Sequence, residues 1–322
     1  MATNKDKEFV VDILGKAGVT VNGSNPWDLK IKNENFYRRV ILEGSLGAGE
    51  SYMDGWWESD KLDQLFDRVF RFDLARYFKE NWGIIWKGVK ARLFNMQSRS
   101  RSFQVGKEHY DVGNELYKAM LDKRMLYTCA YWKDAKTLDE AQEAKLDLVC
   151  RKIELEPGMK VLELGCGWGS FARYAAEKYG AHVTGVTVSR EQVKLGRELC
   201  KGLPVDLQLQ DYRKVTGQYD RVISIGILEH VGFKNYRSYM EVVNRTLKDN
   251  GIAFFHTIGG NRSKTTTNPW SDKYIFPNGM IPSITQLGKA MEGLFIMEDW
   301  HNFGEHYDQT LLAWHKNFEN AW

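Results

Sequence analysis

What the chain lacks narrows its function first. No apolar run in the 322 residues approaches the ~20 residues that a bilayer-spanning helix needs. The opening residues, Met1 to Glu8, are polar and charged, so no secretory leader is expected. The four cysteines, Cys129, Cys150, Cys166 and Cys200, have the spacing of neither a disulfide framework nor a metal site. That points to reduced thiols in a cytoplasmic protein. No grouping of His, Cys, Asp and Glu is spaced to ligate a metal, and no Ser-His-Asp set stands out. Internal repeats and low-complexity tracts are absent too.

Acidic residues are almost missing from one stretch. Lys79, Lys87, Lys90, Arg92, Arg99, Arg101 and Lys107 are accompanied there by Glu80 alone. Phe78, Trp82, Ile84, Ile85, Trp86, Val89, Leu93 and Phe94 are interleaved with them. This basic amphipathic pattern suits a helix lying on an anionic membrane surface, and equally a solvated basic face on an ordinary helix. No groove-reading motif accompanies the charge, so nucleic acid is not an expected partner. The remainder has a globular composition, with 43% hydrophobic and 27% charged residues and a net charge of only +3. Eleven tryptophans and a 13% aromatic share point to a large apolar pocket as well as to core packing.

The most informative stretch is Val161-Leu162-Glu163-Leu164-Gly165-Cys166-Gly167-Trp168-Gly169-Ser170. An apolar run reads as a buried strand, a glycine turn follows, and 171–179 reads as a helix. That order suits a nucleotide-type ligand, because glycine lets the backbone approach closely and the helix N-terminus offers free N–H groups. The spacing is Gly-x-Gly-x-Gly with Glu163 two residues ahead, whereas the dinucleotide fingerprint is Gly-x-Gly-x-x-Gly. The loop resembles the first motif of S-adenosylmethionine-dependent methyltransferases.

Residues 5–95 read as mainly helical. Val10, Ile13, Leu14 and Ala17 recur at helical spacing, as do Phe36, Val40 and Ile41, and then Leu62, Leu65, Phe66 and Val69. Residues 44–57 are a glycine-punctuated aromatic segment. Residues 96–104 have a linker's composition, which places a boundary between a small helical domain (1–95) and a second domain (105–322). In the second, strands are expected at 160–164, 182–186, 206–209, 220–225, 252–256 and 295–298. Helices are expected at 114–121, 139–153, 189–199 and 236–247. Alternation of this kind argues for an α/β, doubly wound parallel sheet with ligands off the carboxyl ends of its strands. Those ends carry Gly165 to Gly169; Thr187, Ser189 and Gln192; Gln210, Asp211 and Tyr212; Gly226 to His230; and His256, Thr257 and Ile258.

Four side chains could carry chemistry, and each has a plainer reading. Glu229 is placed to accept a proton or orient a ligand, or is a surface carboxylate. His256 ends the apolar run 252–255, as a site residue or as a satisfied core histidine. Cys129, in Tyr127-Thr128-Cys129-Ala130-Tyr131-Trp132, would ordinarily be an inert buried thiol. Tyr307 would ordinarily begin a surface helix.

Longer segments carry a resemblance over almost the whole chain. They include Glu50-Ser51-Tyr52-Met53-Asp54-Gly55-Trp56-Trp57, Gly106-Lys107-Glu108-His109-Tyr110-Asp111-Val112-Gly113-Asn114 and Thr128-Cys129-Ala130-Tyr131-Trp132. Leu228-Glu229-His230-Val231-Gly232, His256-Thr257-Ile258-Gly259, Tyr274-Ile275-Phe276-Pro277-Asn278-Gly279 and Met297-Glu298-Asp299-Trp300-His301-Asn302-Phe303-Gly304 continue it. On these segments the chain resembles the cyclopropane fatty acid synthases, with the mycolic acid cyclopropane synthases as more distant relatives.

The resemblance implies a Rossmann-like class I methyltransferase domain. It implies methylene transfer from S-adenosylmethionine to a cis double bond of a phospholipid acyl chain, through a carbocation deprotonated by bound bicarbonate. The positions matching the bicarbonate holders are Cys129, Glu229, His256, Ile258 (through its backbone) and Tyr307. Cofactor contacts match Tyr127, Thr128, Gly165, Gly167, Thr187, Gln192, Asp211, Tyr212 and Ile225, with threonine at 128 where serine is usual. The helical domain is implied to bind lipid, so a phospholipid membrane surface is the expected partner. The expected location is cytoplasmic and peripheral to the inner membrane, and a homodimer is an expectation as well. The chain ends at Trp322, short of where the resemblance places the last strand. An inactive lipid- or cofactor-binding fragment and a small-molecule N-methyltransferase are the alternatives.

Overall fold

The structure, a computed structural model, describes residues 2–72, 77 and 114–322. The chain forms two compact units, Met1–His109 with Asn268–Pro277, and Tyr110–Thr267 with Asn278–Trp322. The linker expected at 96–104 and the basic stretch at 79–107 lie outside the described residues.

In the first unit the apolar stripes become α1 (Asn4–Lys16), α2 (Asn35–Glu43), α3 (Ser45–Met53) and α4 (Leu62–Arg71). They accompany an antiparallel pair, β1 (Lys30–Ile31) and β2 (Trp57–Glu58). Thr3 opens α1 with a capping box, accepting from Asp6 N while the Asp6 carboxylate accepts from Thr3 N. Val10, Phe36, Tyr37, Trp57 and Leu65 are buried together, so the stripes meet at one core. The glycine-punctuated segment is largely α3, and Gly44, at φ +60°, turns the chain into it from α2. A short helix, Pro269–Tyr274, also belongs to this unit, and its Trp270 lies against Gly49.

The second unit holds α5 (Asn114–Met120), α6 (Leu138–Lys152), β3 (Lys160–Leu164), α7 (Ser170–Tyr179) and β4 (His182–Thr187). Next come α8 (Arg190–Leu199), β5 (Val205–Leu209), β6 (Tyr219–Ile225), α9 (Leu228–Val231) and α10 (Tyr236–Thr246). β7 (Leu247–His256), α11 (Ile284–Met291) and α12 (His306–Ala321) complete it. The sheet order is β5-β4-β3-β6-β7 and every pairing is parallel. The chain therefore starts in the middle and winds out to both edges, as a doubly wound sheet does. Successive strand residues face opposite sides. Val161 packs with Leu146, Val149 and Phe171 of α6 and α7, while Leu162 and Leu164 pack with Tyr239, Met240 and Leu287 of α10 and α11.

One expected strand does not form. Residues 295–298 carry no strand assignment and pair with no neighbour, and Ile296 and Met297 are exposed. An apolar run is a local signal, but a strand needs a ladder partner to satisfy its backbone. Among the described residues no helix is long and apolar enough to cross a membrane.

Candidate active site at the carboxyl ends of the sheet

β3 delivers the glycine turn. Gly165, Gly167 and Gly169 have φ values of +76°, +53° and +77°, which L residues with a Cβ resist. The N–H groups of Gly165 and Cys166 donate to the Val186 carbonyl at 2.8 and 3.0 Å, tying the turn to the end of β4. A Cβ on Gly165 would lie 2.1 Å from Ile227 Cδ1, whereas one on Gly167 would meet nothing within 4 Å. The Gly167 side of the turn is thus the open face, suited to a ligand's close approach. Just before the turn, burial pushes the Glu163 carboxyl up to about 8, against the Ala172 N–H and the charge of Lys145.

The next strand ends supply polar groups. After β4, Thr187 donates to Gln192 Oε1 at 2.8 Å, and Ser189 caps α8. After β5, Arg213 donates to the Asp211 carboxylate from Nη2 at 2.5 Å and from Nε at 3.0 and 3.1 Å. This holds the Asp211 carboxyl down at about 2. Tyr212 follows Asp211, and Ile225 ends β6.

Tyr127 and Thr128 come from the loop between α5 and α6. Tyr127 lies in an aromatic enclosure, 5.5 Å from Tyr117 and 5.1 Å from Trp314 between ring centroids. Trp168 of the glycine turn packs on Tyr117 at 5.1 Å, and Tyr307 meets Trp314 edge-on at 6.1 Å. Such ring faces favour a cation beside them.

The five residues expected to hold an anion gather in the same unit. Ile258 N–H donates to Glu229 Oε1 at 2.7 Å, so the expected backbone group orients the carboxylate. Glu229 Oε2 is buried without a hydrogen-bond partner. His256 stacks on Phe303 at 5.5 Å, and its Nδ1 is buried and equally unpartnered, unlike that of a satisfied core histidine. Burial, with the charge of Lys145, pushes the imidazole down to about 3, so it is neutral at pH 7. Burial pushes the Cys129 thiol up to about 11, against Thr310 and Lys145. Burial also raises the Tyr307 phenol to about 12, helped by Tyr127, Cys129 and Glu229.

Three residues went unnoticed in the sequence. Lys145 donates to Thr128 Oγ1 at 2.8 Å, and Gln142 Nε2 donates to the Thr128 carbonyl at 2.9 Å. Thr310 accepts from Ala130 N at 3.1 Å and from Trp132 Nε1 at 2.9 Å. The signal for the first two was available. On α6 they fall with Leu138, Ala141, Leu146 and Val149 at i, i+3 and i+4 spacing, on the buried face. Polar side chains on an apolar stripe need a reason to be there.

The open glycine turn, the Thr187–Gln192 pair and the aromatic enclosure fit a nucleoside sulfonium. The unpartnered Glu229 Oε2 and His256 Nδ1 fit a small oxyanion that carries an O–H.

The sheet order and its glycine turn define a class I S-adenosylmethionine-dependent methyltransferase. Among solved structures, the mycolic acid cyclopropane synthase CmaA1 complexed with SAH and CTAB is 30% identical, with a TM-score of 0.61 over 66% of this chain and 81% of that one. The cyclopropane synthase MmaA2 from Mycobacterium tuberculosis is 27% identical, with a TM-score of 0.62 over the same shares. The family model for mycolic acid cyclopropane synthetase matches residues 97–322. The cyclopropane-fatty-acyl-phospholipid synthase of Escherichia coli (strain K12) is 52% identical over 311 residues, 97% of this chain and 81% of that enzyme. The chain belongs to the mycolic acid cyclopropane synthetase family.

Proposed function

We propose that the protein transfers the sulfonium methyl carbon of S-adenosylmethionine, as a methylene, to the cis double bond of an acyl chain esterified in a phospholipid. The alkene attacks the sulfonium methyl, the S–CH₃ bond breaks to release S-adenosylhomocysteine, and the neighbouring carbon becomes cationic; a proton then leaves the new methyl, and the electrons of that C–H bond close the ring. Bicarbonate, when bound, supplies the base for that proton.

The observation that carries this reading is the state of the side chains around the unpartnered atoms of Glu229 and His256. A carbocation is trapped by any good nucleophile it meets. At neutral pH Cys129 is a thiol and Tyr307 a phenol, states that burial reinforces, and burial makes His256 a weakly basic imidazole. Glu229 has one oxygen committed to Ile258 N–H. These residues hold and orient a base without competing with it for the cation. Tyr131 meets Phe303 at 5.5 Å and His306 at 5.1 Å, and such faces tolerate positive charge nearby.

On this reading Tyr127, Thr128, Gly165, Gly167, Thr187, Gln192, Asp211, Tyr212 and Ile225 hold the cofactor. The first unit serves lipid binding at a membrane surface, and the working form is a homodimer. The test is incubation with labelled S-adenosylmethionine, bicarbonate and vesicles of monounsaturated phospholipid, followed by mass spectrometry of the acyl chains. A gain of one CH₂ with loss of the double bond is expected. A retained double bond with an added methyl would mean another fate for the same cation. No product from folded protein that binds S-adenosylhomocysteine would favour a binding protein instead.

A further inference from the structure

Lys145 lies on α6 with only 1% of its surface exposed, and the reaction above does not use it. A buried ammonium is costly unless other groups compensate it. Its Nζ donates to Thr128 Oγ1 at 2.8 Å, and the buried carboxyls of Asp122 and Glu163 act on its charge. One turn earlier Gln142 holds the Thr128 carbonyl. On its other side the Thr128 methyl is packed on backbone, since a Cβ added to Gly226 would lie 2.6 Å from Thr128 Cγ2. Carbonyl, hydroxyl and methyl of one residue are thus all fixed.

The hydroxyl has consequences for chemistry. It offers one proton and two lone pairs, while an ammonium can only donate. With Lys145 donating to Oγ1, the hydroxyl proton is turned away to an acceptor elsewhere, and the nearby positive charge strengthens it as a donor. We propose that Lys145 is a positioning residue that holds the Thr128 hydroxyl as a directed donor to a carboxylate-type oxyanion. The proposal rests on the functional reading above and names a residue which that reading leaves idle. Two ligands share this chemistry, the methionyl carboxylate of S-adenosylmethionine and bicarbonate.

The experiment compares Lys145→Met and Thr128→Val with the wild-type protein. Calorimetry reads binding of S-adenosylhomocysteine and of methylthioadenosine, which lacks the carboxylate. Steady-state assays read the half-saturating bicarbonate concentration, and circular dichroism checks folding. If the methionyl carboxylate is the acceptor, both variants weaken S-adenosylhomocysteine about tenfold or more and leave methylthioadenosine unchanged. If bicarbonate is the acceptor, nucleoside binding is unchanged and half-saturating bicarbonate rises by about the same factor. In either case the double variant loses no more than the single ones, because both act through one hydroxyl. Equal weakening of both nucleosides, or no change in any readout, overturns the proposal. Should Lys145→Met not fold, Thr128→Val decides alone by the same readouts. If the wild type forms no cyclopropane product, the functional reading fails separately, and calorimetric titration of bicarbonate beside the two nucleosides decides for Lys145.

Discussion

At the scale of single residues, burial sets chemical state more strongly than identity does. His256 shows it in a way that stability can report. An exposed histidine titrates near 6.5, whereas burial lowers His256 to about 3. Between those values the unfolded chain binds a proton that the folded chain refuses. Stability therefore rises with pH across this window, and the loss begins as pH falls below the unfolded value. By pH 5 the contribution amounts to about 2 kcal/mol. His256→Phe keeps a ring against Phe303 and removes the titration. The difference in urea-denaturation free energy between wild type and variant should thus shrink or grow by that amount from pH 7 to pH 5, in favour of the variant at the acid end. Parallel curves would contradict the assignment. The resemblance pointed to Cys129, Glu229, His256 and Tyr307 from the sequence, but their states were not legible there, because a pKa depends on neighbours that only the fold assembles. Lys145 was the reverse case, a residue visible as a polar intruder on the α6 stripe.

At the scale of elements, the turn after β3 separates two reasons for a glycine. Gly165 and Gly167 both have positive φ, yet a Cβ collides with Ile227 at the first and meets open space at the second. Gly165→Ala is expected to cost about 2–4 kcal/mol, combining left-handed strain with overpacking, and Gly167→Ala only about 1–2 kcal/mol from strain. Urea denaturation of the two variants checks the ranking; equal losses would mean that Ile227 yields freely. Gly167→Ala should nonetheless weaken S-adenosylhomocysteine, since its Cβ enters the open side of the turn. Five expected strands were readable because a buried parallel strand is a short apolar run closed by turn residues. The run at 295–298 has the same local appearance, but pairing is a property of two segments. β7 also begins earlier than its apolar run, at Leu247, through residues whose polarity reads as loop.

At the scale of the whole molecule, the first unit is not contiguous in sequence. The chain leaves the second unit after Thr267, gives Asn268–Pro277 to the first and returns at Asn278. Lys273 and Tyr274 donate to Glu50 Oε1 at 2.5 and 2.8 Å, across 223 and 224 residues of chain. Arg39 donates to the other Glu50 oxygen at 2.5 Å, and desolvation of the carboxylate is outweighed, so its pKa falls. No periodicity or composition signal reaches across such a separation, so sequence reading found the helices of this unit but not its closing segment. Trp270 covers Gly49 so closely that an added Cβ would lie 2.2 Å from the indole. A fragment spanning 1–109 therefore lacks an apolar cover on α3 and the partners of Glu50. It should be less stable than the unit within the full chain, and a synthetic peptide spanning 266–279 should raise its Tm by several degrees, increasingly with peptide concentration. Lys273→Ala in the peptide should diminish the effect, and Trp270→Ala should diminish it more, since the Lys273 end of the pair is partly exposed and Arg39 and Tyr274 still hold Glu50, while the indole fills space. A fragment Tm indifferent to the peptide would mean that the segment joins the unit only through its covalent tether.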